Sequence, residues 1–462
     1  MKILIVNPPN VPFSSRGILI EPIDVLSLSS WVQSLGHEVQ LLDMDVHRIA
    51  PENFRERAEA FAPHAVLLVF DYHIPLHCDG ALPASLAIAT QAKSMGAKVA
   101  VAGKSATYKP NALLFPGSPV DVLARHEAEA SLEALFRSDD WGPEALSLIP
   151  SIAWLAGDGS LESTPDHAKS FDLARLPIPD RSLVDLGAYI DVRTILSSRG
   201  CHMKCDFCHV PGFWGGWRGR PSSSVADEIE HLTEAHGATK ILFLDDNAPV
   251  GRRRMMELCS ELVARKSRAA LGCLASLDCF EPGLMEAMRA AGFRWIHYGA
   301  ESGDDRLLAT IHKRTDAAST RRIIAQTMAM GFRVRTSWIM DLPTTSSDEL
   351  KRTAEMILET RSHEVRLHHL ALRLGSRIGE AHAHIASTQY IHQGAQNQNL
   401  CAVPSEEVFQ TVERVASELA GYGYALVRNP DEFLDVEALR ARSQDLRVVS
   451  LCPLRYGLGW AY

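Results

Sequence analysis

Three cysteines, Cys201, Cys205 and Cys208, lie in one short segment, separated by three and then two residues. Thiolates at this spacing suit an iron–sulfur cluster, whose irons are bound by cysteine sulfur. A cubane cluster has four irons, so three cysteines leave one iron with an open coordination site. Such an iron can bind a substrate or cofactor as well as pass electrons. The segment therefore predicts a reactive cluster.

A tetrahedral zinc site is the main alternative for clustered cysteines. No fourth cysteine lies nearby in the sequence, and His202 and His209 each directly follow a cysteine, which is a poor spacing for a closed site. Three structural thiols in a buried loop are a second alternative. Because this spacing is rare by chance, we favour the iron–sulfur cluster.

The composition is that of an ordinary globular protein. The chain has 462 residues, more than one typical domain holds, with 46% hydrophobic and 22% charged residues. A net charge of −9 gives no basic field, so we expect no nucleic-acid partner. We also expect no membrane segment and no signal peptide, since the apolar runs are too short. Nine cysteines without regular pairing favour a reducing compartment, so the predicted location is the cytoplasm.

The first 140 or so residues alternate short apolar runs with helical patterns, which predicts a parallel sheet covered by helices. The predicted strands are 2–7, 38–42, 65–70, 98–102 and 120–123, with helices at 23–35 and 83–95. The first strand runs into Asn7-Pro8-Pro9-Asn10, at the edge where open parallel sheets bind ligands. A purely structural sheet with turn residues at its ends is the alternative.

A second alternation begins near residue 191. The predicted strands are 192–197, 240–245, 271–275, 295–298, 332–339 and 365–370. The predicted helices are 222–236, 252–266, 283–291, 317–330 and 346–359. Six strands with helices between them indicate a complete or partial barrel, with its active site at the carboxyl ends of the strands. The cysteine segment follows the first of these strands, so its position and its chemistry agree.

The predicted fold class is α/β, in four parts along the chain. Residues 1–140 form a Rossmann-like domain, and 141–188 form a linker rich in Pro, Gly, Ser and Asp. Residues 189–385 form a partial (β/α)6 barrel. Residues 386–462 form a small, mainly helical carboxyl-terminal extension, with helices expected at 405–419 and 431–446.

These residues resemble the radical S-adenosylmethionine (radical SAM) superfamily. The cysteine spacing is the superfamily's hallmark, and Phe207 matches the aromatic residue before the third cysteine. Residues 299–304 are similar to its glycine-x-glutamate-serine-glycine motif, and 338–343 to its fifth-strand turn, with Asp341 where glycine is usual. The resemblance spans roughly residues 191–380 and includes several motifs in the right order.

The resemblance implies that Cys201, Cys205 and Cys208 bind a [4Fe–4S] cluster whose open iron chelates S-adenosylmethionine. One electron would cleave the C–S bond of the cofactor, and the 5′-deoxyadenosyl radical so formed would abstract hydrogen from a small-molecule substrate. A flavodoxin or ferredoxin is the implied electron donor.

The implied cofactor-binding residues lie near strand ends. Glu301 and Ser302 are candidates for the amino group and ribose of the cofactor, since a carboxylate and an ammonium form a charge-assisted hydrogen bond. Capping of the next helix is the alternative for Glu301. Arg335 and Ser337 should both face into the barrel, where Arg335 would meet the cofactor carboxylate or a buried acid such as Asp341. The other candidates are Phe207, Gly299, Ser276 and Asp278.

The predicted catalytic residues are Asp246, His209 and Tyr298. Further polar groups for the substrate are Asp245, His297 and the pair His368-His369, although such histidines are more often satisfied core residues. Aromatic residues and glycines at 213–220 predict either a lid over the cluster or packing that closes the barrel mouth.

The amino-terminal part resembles the cobalamin-binding domain that precedes the barrel in one branch of the superfamily. Asn7-Pro8-Pro9 and the 125–129 segment follow the order of that branch, but three of its usual glycines are replaced by Lys104, His126 and Ala128. Because glycine lets a backbone approach a ligand closely, these replacements should crowd the site. Cobalamin binding is therefore left open.

On this basis we expect a radical SAM enzyme of the lyase or dehydratase type that works without cobalamin. It is similar to enzymes that dehydrate a sugar diol in aminoglycoside biosynthesis. That similarity implies an aminosugar substrate, a role in antibiotic biosynthesis and a separate reductase acting on the product. A cobalamin-dependent C-methyltransferase and a non-catalytic iron–sulfur scaffold are the alternatives. The amino-terminal domain could instead provide a homodimer or substrate surface.

Overall fold

The computed structural model describes residues 1–10, 20–72, 78–166, 171–383, 391–392, 400–428 and 446–451. The chain divides into two units, Met1–Ile190 and Asp191–Tyr462. In the described parts of both, no helix is long and apolar enough to cross a lipid bilayer.

The first unit is built on a seven-stranded sheet. Its strands are β1 (Lys2–Asn7), β2 (Glu38–Asp43), β3 (Ala65–Val69), β4 (Lys98–Ala102), β5 (Val122–Ala124), β6 (Ile152–Leu155) and β7 (Leu161–Ser163). They lie in the order β2-β1-β3-β4-β5-β6-β7, parallel as far as β5 and antiparallel beyond it. The strand order reverses between β1 and β3, which opens a crevice at the carboxyl edge of the sheet.

Helices flank this sheet. They are α1 (Ile23–Ser34), α2 (Phe54–Ala58), α3 (Cys78–Ser94), α4 (Lys104–Tyr108), α5 (Pro110–Leu113), α6 (Ala128–Phe136) and α7 (Pro143–Leu146). The core contains Leu68 and Val99 of the sheet with Ile88 and Ala92 of α3, all fully buried. β3 is buried along its whole length, as expected for a parallel strand covered on both faces.

The second unit contains an eight-stranded parallel sheet and two small antiparallel strand pairs. Its strands are β8 (Arg193–Ile195), β9 (Ser198–Arg199), β10 (Arg218–Gly219), β11 (Lys240–Phe243), β12 (Ala270–Ser276), β13 (Phe293–Glu301), β14 (Arg333–Ile339), β15 (Glu364–His368), β16 (Ala371–Leu372), β17 (Ile391–His392), β18 (Tyr424–Val427) and β19 (Arg447–Leu451). The large sheet has the order β18-β19-β15-β14-β13-β12-β11-β8, and the pairs β9–β10 and β16–β17 are antiparallel.

Helices alternate with the strands of the large sheet. They are α8 (Val210–Trp214), α9 (Ser222–His236), α10 (Arg252–Ala264), α11 (Pro282–Ala290), α12 (Asp305–Thr310), α13 (Ala317–Ala329), α14 (Ser347–Thr360), α15 (Arg377–Ala381) and α16 (Ser405–Gly421). Asp304 caps α12 by accepting a hydrogen bond from the Leu307 amide at 3.0 Å. Ser346 and Glu349 form a capping box at α14.

The α/β class, the Rossmann-like first part and the partial barrel are confirmed. The six predicted barrel strands correspond to β8 and β11–β15, and two further strands, β19 and β18, extend the sheet beyond β15. The helix predicted at 405–419 corresponds to α16, and the one predicted at 431–446 lies almost entirely outside the described residues.

Candidate active site

The three cysteines lie in the loop between β9 and α8, at the carboxyl end of β8. The loop begins at Gly200, whose φ is 81° and where an added Cβ would lie 2.6 Å from the Gly216 carbonyl oxygen. Only glycine fits this turn. Cys205 is buried, Cys201 and Cys208 are partly exposed, and all three are free thiols. Three unpaired thiols at the mouth of a barrel match the donor set of an iron–sulfur cluster.

Burial controls the acidity of these thiols. It raises the pKa of Cys205 to about 11 and that of Cys208 to about 12. The positive charge of Lys313 acts against this rise at Cys205. A bound iron would therefore have to displace the thiol protons, with Lys313 helping to stabilise the thiolates.

Two acids that follow β11 hold the start of the cysteine loop. Asp245 accepts a hydrogen bond from the Ser197 hydroxyl at 2.8 Å and another from the Ser198 amide. Asp246 accepts one from the Gly200 amide at 3.0 Å. Asp246, a predicted catalytic residue, is thus placed beside the loop backbone.

Asn247 connects the cysteine loop to the end of β12. Its amide nitrogen lies 3.5 Å from Cys201 Sγ and donates to the Ser276 hydroxyl at 2.7 Å, while its oxygen accepts from the Ser276 amide at 3.1 Å. A carboxylate oxygen of Asp278, which follows β12, lies 2.7 Å from Nε2 of His202 in the cysteine loop. Ser276 and Asp278 are therefore brought to the cysteines, as the barrel order predicts.

Glu301 lies at the end of β13 in a strained conformation. Its φ is 67°, which is unusual for a residue with a side chain, and the pairing of β13 with β14 shifts register between Gly299 and Glu301. Its carboxylate lies 3.0 Å from Lys313 Nζ, with the two side chains 11% and 7% exposed. A Cβ at Gly299 would lie 2.2 Å from the Glu301 carboxylate, so glycine leaves the room that this pair occupies.

Burial alone would lower the pKa of Lys313, but Glu301 and the thiols of Cys205 and Cys201 outweigh it and raise that pKa. Lys313 therefore stays charged between a carboxylate and the cysteine loop. An adjacent ammonium and carboxylate can bind both charged groups of an amino acid. Sequence reasoning missed Lys313, because it follows a short helix and no spacing signal distinguishes it.

Two other predicted cofactor-binding residues pack inside the unit. Ser302 is fully buried, with its hydroxyl 3.2 Å from the Thr353 hydroxyl of α14. Phe207 packs against a small apolar cluster that includes Leu307 and Leu342. The structure thus places Glu301, and not Ser302, with its side chain toward Lys313 and the cysteines.

The remaining predicted residues lie in different surroundings. Tyr298 points away from the barrel interior, with its hydroxyl 3.1 Å from the Thr327 hydroxyl of α13. His209 is buried at the start of α8. His369 lies 2.8 Å from Asp341, which also accepts a hydrogen bond from the Leu370 amide. Asp341 thus ties two loops together where the superfamily usually has glycine.

The 213–220 segment is largely packed, with Trp217 partly exposed. Phe213 and Trp214 are fully buried, with ring centroids 4.7 Å apart. Arg220 is paired with Glu228 of α9. This arrangement agrees with the packing alternative for this segment.

A cavity of about 100 Å³ lies at the carboxyl edge of the first unit, where the strand order reverses. Its lining includes Asn7, Asp43, Asp45, Asp71 and Tyr72. Carboxylates accept hydrogen bonds from neutral amide groups, and the Asn7 amide can both donate and accept. Cobalamin carries amide side chains around its corrin ring, and such amides could donate hydrogen bonds to carboxylates at this edge.

The replaced glycines alter a neighbouring loop. Lys104 is buried, and its ammonium donates to the carbonyls of Asp71, at 3.1 Å, and of Tyr72. Gly103 is retained at φ 138°, where a Cβ would lie 1.9 Å from the Phe70 carbonyl oxygen. His126 adopts φ 54°, a left-handed conformation that glycine adopts readily. Lys104 thus holds the loop after β3, and His126 keeps a glycine-like backbone conformation after β5.

Comparison with known proteins agrees with this geometry. Residues 195–357 match the model of the radical SAM superfamily. The anaerobic magnesium-protoporphyrin IX monomethyl ester cyclase of Synechocystis sp. is 25% identical, over 74% of this chain and 69% of that protein. The hopanoid C-3 methylase of Methylococcus capsulatus is 23% identical, over 74% of this chain and 65% of that protein. The structure of the radical S-adenosylmethionine methyltransferase TsrM from Kitasatospora setae, with cobalamin and a [4Fe–4S] cluster bound, has a TM-score of 0.70 at 18% identity, covering 82% of this chain and 77% of that one.

These comparisons contradict the expectation of a dehydratase or lyase that works without cobalamin. The relatives include methylases and a cyclase, and the similar structures include a cobalamin-bound methyltransferase. The expectation was wrong because it took the crowding from three replaced glycines as an argument against cobalamin. Lys104 contacts Asp71 and Tyr72 in the loop after β3, yet a cavity remains at this edge of the sheet. The methyltransferase alternative fits these observations better.

The radical SAM domain accounts for the geometry at the barrel mouth. Such a domain uses a [4Fe–4S] cluster and S-adenosylmethionine, and the thiols of Cys201, Cys205 and Cys208 match the requirement for three cluster ligands. Residues 195–357 match the radical SAM superfamily, and the chain shares the fold of the TsrM structure over most of its length.

Proposed function

We propose that this chain is a cobalamin-dependent radical SAM methyltransferase that acts on a small molecule. The observation that carries the proposal is the placement of three free thiols and the Glu301–Lys313 pair at one barrel mouth, in a chain whose first unit keeps a crevice at its ligand edge. The hopanoid C-3 methylase among the relatives supports methyl transfer as the reaction.

At the barrel mouth, Cys201, Cys205 and Cys208 would hold the cluster. Asn247 would orient Cys201 and Ser276, and Asp246 would fix the turn at Gly200. Glu301 would accept a hydrogen bond from the amino group of S-adenosylmethionine, and Lys313 would face its carboxylate. A bound cluster and S-adenosylmethionine would together supply a radical for hydrogen abstraction from the substrate.

In the first unit, Asn7, Asp43 and Asp45 would bind amide groups at the rim of cobalamin. Asp43 already accepts hydrogen bonds from Asn7 at 3.0 Å and from the Tyr189 hydroxyl at 2.8 Å, so its position is fixed before a ligand arrives. Burial raises the pKa of Asp45 to about 6. A bound cobalamin would supply the methyl group for transfer to carbon.

The proposal is tested by product analysis on the reconstituted protein. Under anaerobic conditions, with cobalamin, S-adenosylmethionine and a flavodoxin or ferredoxin as reductant, we expect both 5′-deoxyadenosine and S-adenosylhomocysteine. The second product remains when a methyl group leaves S-adenosylmethionine. The Cys205→Ala variant should form no 5′-deoxyadenosine. Formation of 5′-deoxyadenosine with no cobalamin-dependent S-adenosylhomocysteine would refute methyl transfer.

A further inference from the structure

The side-chain amide of Asn247 is fixed beside one sulfur of the cysteine loop. Asn247 follows β11 and is only 1% exposed. Its Oδ1 accepts a hydrogen bond from the Ser276 amide at 3.1 Å, which identifies the other atom of the carboxamide as the nitrogen. That nitrogen donates to the Ser276 hydroxyl at 2.7 Å and to Cys201 Sγ at 3.5 Å. The two amide hydrogens are therefore both used, one on Ser276 and one on the sulfur.

The hydroxyl of Ser276 is held in turn by the loop after β12. It donates to one carboxylate oxygen of Asp278, whose other oxygen lies 2.7 Å from His202 Nε2. These hydrogen bonds form a network that begins and ends in the cysteine loop, at Cys201 and at His202. The amide of Asn247 therefore cannot turn away from the sulfur without breaking other bonds of the network.

Cys201 also receives a hydrogen bond from the backbone. The Met203 amide donates to the same sulfur at 3.4 Å. Burial raises the pKa of the Cys201 thiol, and the hydrogen bonds from Met203 and Asn247 oppose that rise. Both donors thus favour negative charge on this sulfur. The Met203 bond comes from the main chain, so a substitution at Asn247 removes one donor and leaves the other.

Hydrogen bonds to the sulfurs are among the factors that set the reduction potential of an iron–sulfur cluster. An N–H group directed at a thiolate sulfur stabilises negative charge there, and the reduced cluster carries one electron more than the oxidised cluster. Such a donor therefore stabilises the reduced state and raises the potential. Because Asn247 is buried, its dipole is screened less than it would be in water.

We propose that Asn247 raises the reduction potential of the [4Fe–4S] cluster through its hydrogen bond to Cys201, and that Ser276 fixes the amide that donates it. Asn247 acts through Cys201, so it is a positioning residue. A higher potential lets the electron donor reduce a larger fraction of the clusters. The alternative is that Asn247 only joins the ends of β11 and β12. The inference needs the cluster but not cobalamin, so it does not depend on methyl transfer.

Redox titration of the reconstituted full-length protein tests this inference, with the electron paramagnetic resonance signal of the reduced cluster recorded without S-adenosylmethionine. Asn247→Leu removes the donor at similar size and should lower the equilibrium constant for reduction about tenfold, or about 59 mV for a one-electron couple. Asn247→Asp keeps the acceptor for the Ser276 amide but replaces the donor with a negative charge, so it should lower the constant further. Thr327→Val removes a buried hydroxyl of α13 that bonds to Tyr298, and as the matched control it should leave the potential unchanged.

Ser276→Ala tests the second part of the inference. It should lower the potential by part of the change seen in Asn247→Leu, and it should have no effect when added to Asn247→Leu, because Ser276 acts through Asn247. Equal effects of Ser276→Ala in both backgrounds would contradict this role.

Iron and sulfide analysis ensures that only variants with a full cluster are compared. A wild-type potential in both Asn247 variants, or an equal fall in Thr327→Val, would overturn the inference. Loss of the cluster from both Asn247 variants would also overturn it, since Asn247 would then serve cluster assembly. Failure of the proposed function would appear instead as absence of cobalamin-dependent S-adenosylhomocysteine, with these potentials unaffected.

Discussion

Lys313 Nζ lies 3.0 Å from a carboxylate oxygen of Glu301, and both side chains are buried beside the cysteine loop. Lys313→Met keeps the length of the side chain but leaves Glu301 as a buried carboxylate without its cation. We expect a loss of about 3 kcal/mol in the free energy of unfolding. The KM for S-adenosylmethionine should rise tenfold or more, since one charge-assisted hydrogen bond contributes roughly 1.5–3 kcal/mol. Thermal denaturation and 5′-deoxyadenosine assays measure the two effects.

The double variant Lys313→Met/Glu301→Gln distinguishes stability from cofactor binding. Removing both charges should restore most of the lost stability, because no buried charge remains without a partner. Cofactor binding should stay impaired. Wild-type KM in this double variant would show that the pair is purely structural.

The cluster should depend on three specific cysteines. Cys201→Ala, Cys205→Ala and Cys208→Ala should each lower iron and sulfide content and remove the charge-transfer absorption of the cluster. Cys259→Ala is the matched control, since Cys259 is buried in the core of the second unit, away from the loop. Full iron content in any of the three loop variants would contradict the assignment.

Asp245 should give the protein a pH-dependent stability. Burial raises its pKa to about 6, against the opposing effects of Arg254 and of hydrogen bonds from Ser197 and Ser198. The folded protein keeps this proton at a pH where an unfolded aspartate, with a pKa of about 3.9, has lost it. The contribution of Asp245 to the free energy of unfolding therefore falls as the pH rises from about 4 to about 6.

Asp245→Asn mimics the protonated carboxyl group and should flatten this part of the curve of Tm against pH. Asp158→Asn, at a fully exposed turn, should leave the curve between pH 4 and about 6 unchanged. Parallel curves for wild type and Asp245→Asn would show that Asp245 is not the titrating group.

Gly103 should be required for packing as well as for its backbone conformation. Gly36 and Gly103 both have positive φ, 89° and 138°, but only at Gly103 does an added Cβ meet another atom, 1.9 Å from the Phe70 carbonyl oxygen. Gly36→Ala should cost about 1–2 kcal/mol from backbone strain. Gly103→Ala should cost at least about 2 kcal/mol more from overpacking. Equal losses in urea denaturation would contradict the steric argument.

The sequence predicted the fold well wherever apolar runs alternate with helical periods. The predicted strands at 2–7 and 98–102 have the bounds of β1 and β4. The two further barrel strands, β18 and β19, were not predicted, because short apolar runs near a chain end do not distinguish strand from helix. Their strand character comes from pairing with β15, which is a tertiary effect.

The sequence predicted the site residues that are set by spacing or motif order. It did not predict those whose role depends on contacts formed in the folded protein. The cysteine loop, Glu301 and Ser276 follow from their positions after strands. Lys313 and Asn247 acquire their roles only through contacts with Glu301 and Cys201 across the fold. Tyr298 was expected to face the substrate, but a one-residue alternation along β13 directs it to α13.

The content of cobalamin after reconstitution tests the central claim most directly. The anaerobically purified protein is incubated with hydroxocobalamin and desalted, and its bound cobalamin is quantified from the absorption spectrum. The Asp43→Leu variant, which alters the crevice, is treated in the same way. The account predicts about one cobalamin per wild-type chain and a clear loss in the variant. Desalted wild-type protein that carries an intact cluster but no cobalamin would contradict it.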